Sequence, residues 1–473
     1  MEHVDVLIVG AGLSGIGAGW RLRERCPGKS FLIVEARDRI GGTWDLFRYP
    51  GIRSDSDIFT LGFPFRPWRS DLAIVDGASI RAYVEDTARE GGIFNKIRFG
   101  EQVKSASWSS TDASWTVETT AKAYTCSFLY LCTGYYDYAA GHRPRWNGED
   151  EFKGRIVHPQ FWPDDLDYAG KNVAVIGSGA TAVTLIPSMA DEAAHVTMVQ
   201  RSPTYIVARP ARDRIAAVLQ KALPARAAHW LTRWKNILLT IFVYGRARRS
   251  PRKVADWIVD QVKKQVPEGH PVERDFRPIY DPWDQRLCLV PNGDLFAAMR
   301  TGKVTIATGA IDRFTPDGIK LTNGEEVPAD IIVTATGLNL KIAGGIALSV
   351  DGEPMRLADR TIYKGMMLSG VPNLFISVGY INASWTLRSD ITARAVCRLL
   401  NNMDKRGLKV STPRDDPSRE RRPLLELSSG YLARAEGLLP QQGAKHPWRV
   451  KQHYVRDLAA MRFSKVDEEM DFR

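Results

Sequence analysis

The sequence is poor in cysteine, and what it has is not arranged for chemistry. Cys26, Cys126, Cys132, Cys288 and Cys397 are odd in number and contain no CxxC pair. That excludes a disulfide framework and a thiolate metal site, so no metal is expected, and it points to a reducing compartment. No apolar run reaches the roughly 18 residues that a membrane-spanning helix needs. Met1 stands just before the first strand and leaves no room for a signal peptide, so a cytoplasmic location is expected. Short-period repeats and low-complexity tracts are absent. No stacking or groove-reading motif accompanies the basic residues, so nucleic acid is not an expected partner.

The 473 residues, 44% hydrophobic and 25% charged, suit a soluble globular chain of two domains. The formal net charge of +11 is concentrated partly in Arg246 to Lys253, directly after the apolar stretch Ile237 to Tyr244. The first reading of segment 245–253 is a solvated surface; the second is peripheral contact with the inner face of a cell membrane. Trp230, Trp234, Ile237, Leu238, Ile241 and Phe242 read as the buried face of a helix in preference to a substrate entrance. The charged, proline-bearing segment 405–425 reads as an exposed loop. Oligomerisation is left open.

Two passages dominate the rest. Val4 to Val9 is followed by Gly10-Ala11-Gly12-Leu13-Ser14-Gly15, a helical pattern to Arg25 and the apolar run Phe31 to Val34, which ends in Glu35. The order repeats in Val173 to Ile176, Gly177-Ser178-Gly179-Ala180-Thr181-Ala182, a helix to Asp191, and Val196 to Gln200 ending in Arg201. Each is a strand, glycine turn, helix and strand, the βαβ unit that binds dinucleotides. Val103 to Trp108 and Trp115 to Thr119 alternate like a hairpin. Phe128 to Leu131 and Ile331 to Thr334 are apolar strands that run into Cys132-Thr133-Gly134 and Ala335-Thr336-Gly337. The fold class is α/β with two Rossmann-like domains. One is expected at 149–345, with a helical insertion around 212–275, placed inside a split domain of 1–148 and 346–473.

In the first unit Gly10 permits the tight turn, Gly12 the approach of a pyrophosphate, and Gly15 close helix–strand packing. Glu35 stands about 20 residues past the turn, where an acid accepts hydrogen bonds from ribose hydroxyls and repels a 2′-phosphate. That selects FAD or NAD. In the second unit Arg201 and Ser202 replace the acid, and a guanidinium there selects the 2′-phosphate of NADPH. Ala182 takes the place of the third glycine.

The order Gly42-x-Trp44, Pro50-Gly51 and Asp55 resembles the flavin-wrapping motif of class B flavoprotein monooxygenases of the Baeyer–Villiger type. The resemblance implies that Ser14, Thr43, Trp44, Asp45 and Asp55 contact FAD, with Val103 at the adenine. The run Phe152-x-Gly154, His158, Trp162-Pro163 is similar to the type I fingerprint of that family. N- and S-oxidising relatives usually carry Phe or Tyr in place of Trp162. His158 is expected to position the linker between domains in preference to acting as a base.

Arg286, in Arg286-Leu287-Cys288, resembles the active-site arginine of the family. It is expected to stabilise the peroxyflavin and its ketone adduct, oriented by Asp55; Gln285 stands where the family often has Lys. Asn382 and Trp385 are candidates for the substrate pocket. Thr43 to Phe63, Ile176 to Tyr205, Pro282 to Phe296 and Gly379 to Leu387 are similar to a branch that oxidises thioamides as well as ketones. The implied reaction takes O2, NADPH and a small ketone or sulfur substrate. Its alternatives are an N- or S-oxidising flavin monooxygenase, a disulfide reductase that would need a cysteine pair at the flavin, and a flavoprotein sensor.

Overall fold

The computed structural model describes residues 1–285, 287–424, 434 and 437–473. The chain opens with β1 (Glu2–Val9), α1 (Leu13–Arg25) and β2 (Phe31–Val34). Two short helices, α2 (Thr43–Leu46) and α3 (Ile58–Leu61), and the longer α4 (Gly77–Glu90) lead to β3 (Ile97–Arg98). Then come β4 (Val103–Ser109), β5 (Ser114–Thr119) and β6 (Ala123–Leu131), followed by β7 (Tyr136–Gly141), which leaves this region.

The middle of the chain holds β8 (Arg155–Val157), β9 (Asn172–Ile176), α5 (Ala180–Met189), β10 (His195–Gln200) and β11 (Ile206–Arg209). Helices α6 (Arg214–Ala222), α7 (Ala225–Arg249), α8 (Pro251–Lys263) and α9 (Val272–Phe276) follow. After β12 (Cys288–Pro291), α10 (Asp294–Arg300) and β13 (Val304–Thr308) comes the meander β14 (Ile311–Thr315), β15 (Gly318–Leu321) and β16 (Glu326–Pro328). β17 (Ile331–Thr334) then leads into β18 (Leu338–Leu340), which pairs antiparallel with β7. The chain finishes through β19 (Ala347–Val350), β20 (Glu353–Met355), the short pair β21 (Ile362–Tyr363) and β22 (Met367–Leu368), and β23 (Leu374–Ile376). Last come α11 (Trp385–Arg406), β24 (Ser411–Pro413), β25 (Arg421–Pro423), β26 (Gln441–Gly443), α12 (Tyr454–Phe463) and β27 (Met470–Phe472).

Strands from both ends of the chain share one sheet, ordered β20-β19-β4-β5-β6-β1-β2-β3, with β23 also on β6. The middle of the chain forms a second sheet, β13-β10-β9-β17-β8, in which every pairing is parallel. Parallel strands are covered on both faces, which is why Val6 to Val9 and Val173 to Ile176 are continuous apolar runs and do not alternate. The hairpin β4–β5 alternates and packs Trp108 on Trp115 at 5.7 Å.

Two expectations need correction. Of the six apolar residues assigned to a buried face of α7, only Ile237 is buried; Trp230, Leu238 and Phe242 are 58%, 54% and 68% exposed. The helix carries apolar side chains on every side, and packing is available to one side only, where His229, Arg233, Asn236 and Ile237 lie. Segment 405–425 is not a single exposed loop. Val410, Ser411 and Pro413 are buried because β24 pairs with β27 at the far end of the sequence.

Candidate active site

The two glycine turns are built alike. Gly10 N donates to Val34 O and Gly177 N to Val199 O, each at 2.8 Å, locking the turn onto the neighbouring strand. Gly10 has φ +104° and Gly177 φ +130°, and a Cβ at either would lie 2.7 Å from Cys132 O or 2.4 Å from Ala335 O. These carbonyls belong to the passages that follow β6 and β17, so the two strand-then-Thr-Gly segments hold equivalent positions beside the two turns. Gly15 is packed so closely that a Cβ would fall 1.8 Å from Gly10 O.

Helices α1 and α5 begin at Gly12 and Gly179 with no side-chain cap, whereas Asp57, Asp76 and Asp213 cap α3, α4 and α6. Uncapped N–H groups and a partial positive charge suit phosphate oxygens. The residues present therefore fit dinucleotides at both turns.

Glu35 is buried, and its oxygens accept from Ala11 N at 2.7 Å and Arg37 N at 2.9 Å. Burial holds its pKa above the ordinary carboxylate value, against the pull of those N–H groups. Arg201 and Ser202 stand exposed just past β10. Ser178 Oγ donates to Ser202 O at 3.1 Å and lies 2.8 Å from Thr204 Oγ1, tying the second turn to that corner. Ala180 is exposed and Ala182 buried at the start of α5.

The segment after Gly42 folds back on the first turn: a Cβ on Gly12 would sit 3.6 Å from Gly42 Cα. Thr43 Oγ1 lies 3.4 Å from Tyr138 Oη, and Trp44 packs on the first core. Asp45 is buried and bonded to Arg37, at 2.6 Å from Nη2 and 3.0 Å from Nε. Beyond it the chain crosses to the second unit. Phe47 and Tyr49 belong to the core under the second sheet, and Gly51 presses on α5, where a Cβ would lie 1.9 Å from Ser188 Oγ. Tyr49 is pushed up to about 12, chiefly by burial, against a hydrogen bond with Thr181 of the second turn.

Asp55 is exposed and accepts from Ser56 Oγ at 3.3 Å. Arg286, its expected partner, lies outside the described residues. Its near neighbour Cys288 starts β12, and the thiol reaches Ser178 O at 3.7 Å. Val103 is buried at the start of β4.

Three remote segments meet beside α1. Trp385 Nε1 donates to Ser14 Oγ at 2.8 Å and stacks on Tyr135 at 4.9 Å. Ser384 Oγ is 2.7 Å from Thr60 Oγ1, which is 2.7 Å from Asp57 Oδ2. An apolar cavity lined by Tyr135, Ile342, Val378, Tyr380 and Trp385 opens here. Asn382 is turned to Gln452, donating to its carbonyl at 3.0 Å. No sequence motif marks Tyr49, Thr60, Tyr135 or Tyr138; only the fold brings them in.

The fingerprint lies along the crossing between the sheets. His158 Nε2 is 3.3 Å from Gly337 O, and Gln160 N donates to Nδ1 at 3.2 Å. A Cβ on Gly141 would meet the His158 ring at 2.1 Å, so the imidazole is wedged between the outgoing and returning strands. Burial lowers its pKa. Phe152 packs on Phe314, Gly154 fits against Asp330 O, and Trp162 packs on Tyr168 just before Pro163. Among the described residues no cluster of His, Cys, Asp and Glu is arranged for a metal ion.

A family model described as pyridine nucleotide-disulphide oxidoreductase matches residues 7–225. The chain is 53% identical over 474 residues to the FAD-containing monooxygenase EthA of Mycobacterium tuberculosis, covering 99% of this chain and 97% of that one. It is 50% identical over 474 residues to EthA of Mycolicibacterium smegmatis, with 99% and 96% covered. Among solved structures it is similar to an oxidized steroid monooxygenase bound to NADP, with TM-score 0.78, 22% identity and 99% of each chain covered. A cyclohexanone monooxygenase with ε-caprolactone bound gives TM-score 0.74 at 20% identity over 100% of each chain. At that identity the solved structures speak for the fold; the mycobacterial relatives decide the family, and the chain belongs to the FAD-containing monooxygenases.

Proposed function

We propose that this FAD monooxygenase draws electrons from NADPH and inserts one atom of O2 into ketones, giving esters or lactones by a Baeyer–Villiger reaction. Sulfides and thioamides are oxygenated in the same site. The carrying observation is one of polarity: the strand after each glycine turn ends in Glu35 in one unit and Arg201 in the other. An acid excludes a 2′-phosphate and a guanidinium with Ser202 recruits one, so two different adenosines are served. That a steroid monooxygenase of this fold is solved with NADP, and a cyclohexanone monooxygenase with a lactone, supports the reading.

In this reading residues 1–148 and 346–473 hold FAD and residues 149–345 hold NADPH. Bound FAD supplies the two-electron chemistry and the activation of O2. Gly10, Gly12 and Gly15 admit its pyrophosphate, and Glu35 takes the ribose. Ser14, Thr43, Trp44, Asp45 and Asp55 line the rest. Gly177 to Ala182 perform the same task for NADPH. Arg286 contributes a permanent positive charge where negative charge develops on oxygen, and Asp55 orients it. His158 and Trp162 set the angle of the crossing, and the stack of Tyr135 on Trp385 excludes water.

The disulphide oxidoreductase match covers the shared dinucleotide architecture. All five cysteines are buried and none is joined in a disulfide, which does not suit thiol–disulfide exchange at a flavin. The test is incubation of FAD-loaded protein with NADPH, O2, a panel of aliphatic and aromatic ketones, and methyl phenyl sulfide, with products identified by mass. Ester or lactone is expected. Sulfoxide without ester would leave an S-oxidising monooxygenase and remove the Baeyer–Villiger assignment.

A further inference from the structure

We propose that the outer face of α6 and α7 seats on the surface of an anionic lipid bilayer. The inner face of α7 is packed on residues 57–63. His229 reaches Phe63 O at 3.2 Å, Arg233 donates to Phe59 O and Gly62 O at 2.6 and 2.7 Å, and Asn236 donates to Asp57 Oδ1 at 2.8 Å. The opposite face presents Leu231, Leu238 and Phe242, whose helical spacing puts them in one line, flanked by Leu239. On α6, Ile215 and Val218 are 54% and 65% exposed. Isolated exposed apolar residues need no explanation, but a contiguous stripe on two packed helices does.

Charge identifies the occupant. From residue 214 to residue 255 the sequence contains no Asp or Glu, while Lys and Arg recur throughout. Arg246 and Arg249 continue the line of Phe242 into the last turn of α7, and Arg252 and Lys253 follow on α8. All four are exposed and make no ion pair with a described residue. An apolar stripe bordered by cations matches acyl chains below anionic headgroups, the arrangement of an interfacial helix. A second copy is a poor fit, because a two-fold contact on a face without acids sets cation near cation. No helix among the described residues is long and apolar enough to cross a membrane, so the contact is a lying-on. Since α7 also grips residues 57–63, beside Asp55, a lipophilic substrate dissolved in the bilayer would be delivered close to the candidate site.

The test is co-sedimentation of the full-length, FAD-loaded chain with phosphatidylcholine vesicles and with vesicles that also contain phosphatidylglycerol. A Phe242→Cys variant carrying an environment-sensitive dye reports depth; the five native cysteines are buried and will not compete for label. Expected are binding to the anionic vesicles, a blue shift of the dye, and loss of at least about tenfold in partitioning for Leu238→Asp/Phe242→Asp, or for the wild type in roughly 0.5 M salt. Flavin content and circular dichroism check that the variant is folded. Equal partitioning of wild type and a folded double variant would overturn the proposal, as would no binding to either vesicle. Lipid-free self-association that the double variant abolishes would assign the face to a second copy and overturn it too.

Discussion

Arg53 Nη1 lies 2.5 Å from Asp294 Oδ2, and the pair joins the flavin motif, between Gly51 and Asp55, to the first turn of α10 in the second unit. Both side chains are largely shielded, so the bond is a charge-assisted tie between the regions assigned to the two nucleotides. Arg53→Met or Asp294→Asn is expected to weaken coupling by about 1.5–3 kcal/mol. The readout is the rate of flavin reduction at saturating NADPH, which should fall by about 10–150-fold, the rate equivalent of that loss, while flavin content is retained. A double variant no worse than either single one would show that the effect belongs to the pair.

Gly51 supplies a second tie. Its φ is +75°, and a Cβ would fall 1.9 Å from Ser188 Oγ. Gly51→Ala should therefore lose about 1–3 kcal/mol from strain and overlap together. Ser188→Gly in the same chain should restore the steric part and leave the backbone part. Thermal unfolding followed by flavin fluorescence separates the two; no recovery in the double variant would mean the overlap is relieved elsewhere.

Burial holds His229 at about 4, well below the ordinary value near 6.5. In the fold Nδ1 accepts from Trp68 N at 3.4 Å while Nε2 faces Phe63 O at 3.2 Å, a pattern that only the neutral ring satisfies. The unfolded chain binds a proton more readily, so stability contributed by His229 is present above about pH 6.5 and is lost as the pH falls toward 4. The loss is about 2–3 kcal/mol. His229→Gln should flatten this part of the stability–pH curve between pH 7 and 4.5. An unchanged slope would show that other groups carry it.

Arg286→Ala is expected to leave reduction by NADPH intact and to abolish ester formation, with NADPH oxidised unproductively. Product analysis beside oxygen uptake checks this. Ester formed at the wild-type rate would remove Arg286 from the mechanism.

How much the sequence disclosed followed the range of the interaction. Both glycine turns were legible because local periodicity, glycine spacing and the terminal residues Glu35 and Arg201 are contiguous signals. The tie of Arg53 to Asp294, the convergence of Ser14, Thr60 and Trp385, and the pairing of β24 with β27 join residues far apart in the chain and leave no local trace. The orientation of α7 was illegible for another reason. Apolar residues surround that helix, so its pattern did not state which side would find a partner.

The central claim is that Arg201 recruits the electron donor to a flavin held beside Glu35. It is tested most directly by anaerobic mixing of the FAD-loaded chain with NADPH or NADH while flavin absorbance is followed. The wild type should be reduced by NADPH at far lower concentration than by NADH. Arg201→Ala should raise the NADPH requirement by about 10–100-fold and leave that for NADH nearly unchanged. A flavin that stays oxidised with NADPH, or a variant that still prefers NADPH as strongly as the wild type, would contradict the account.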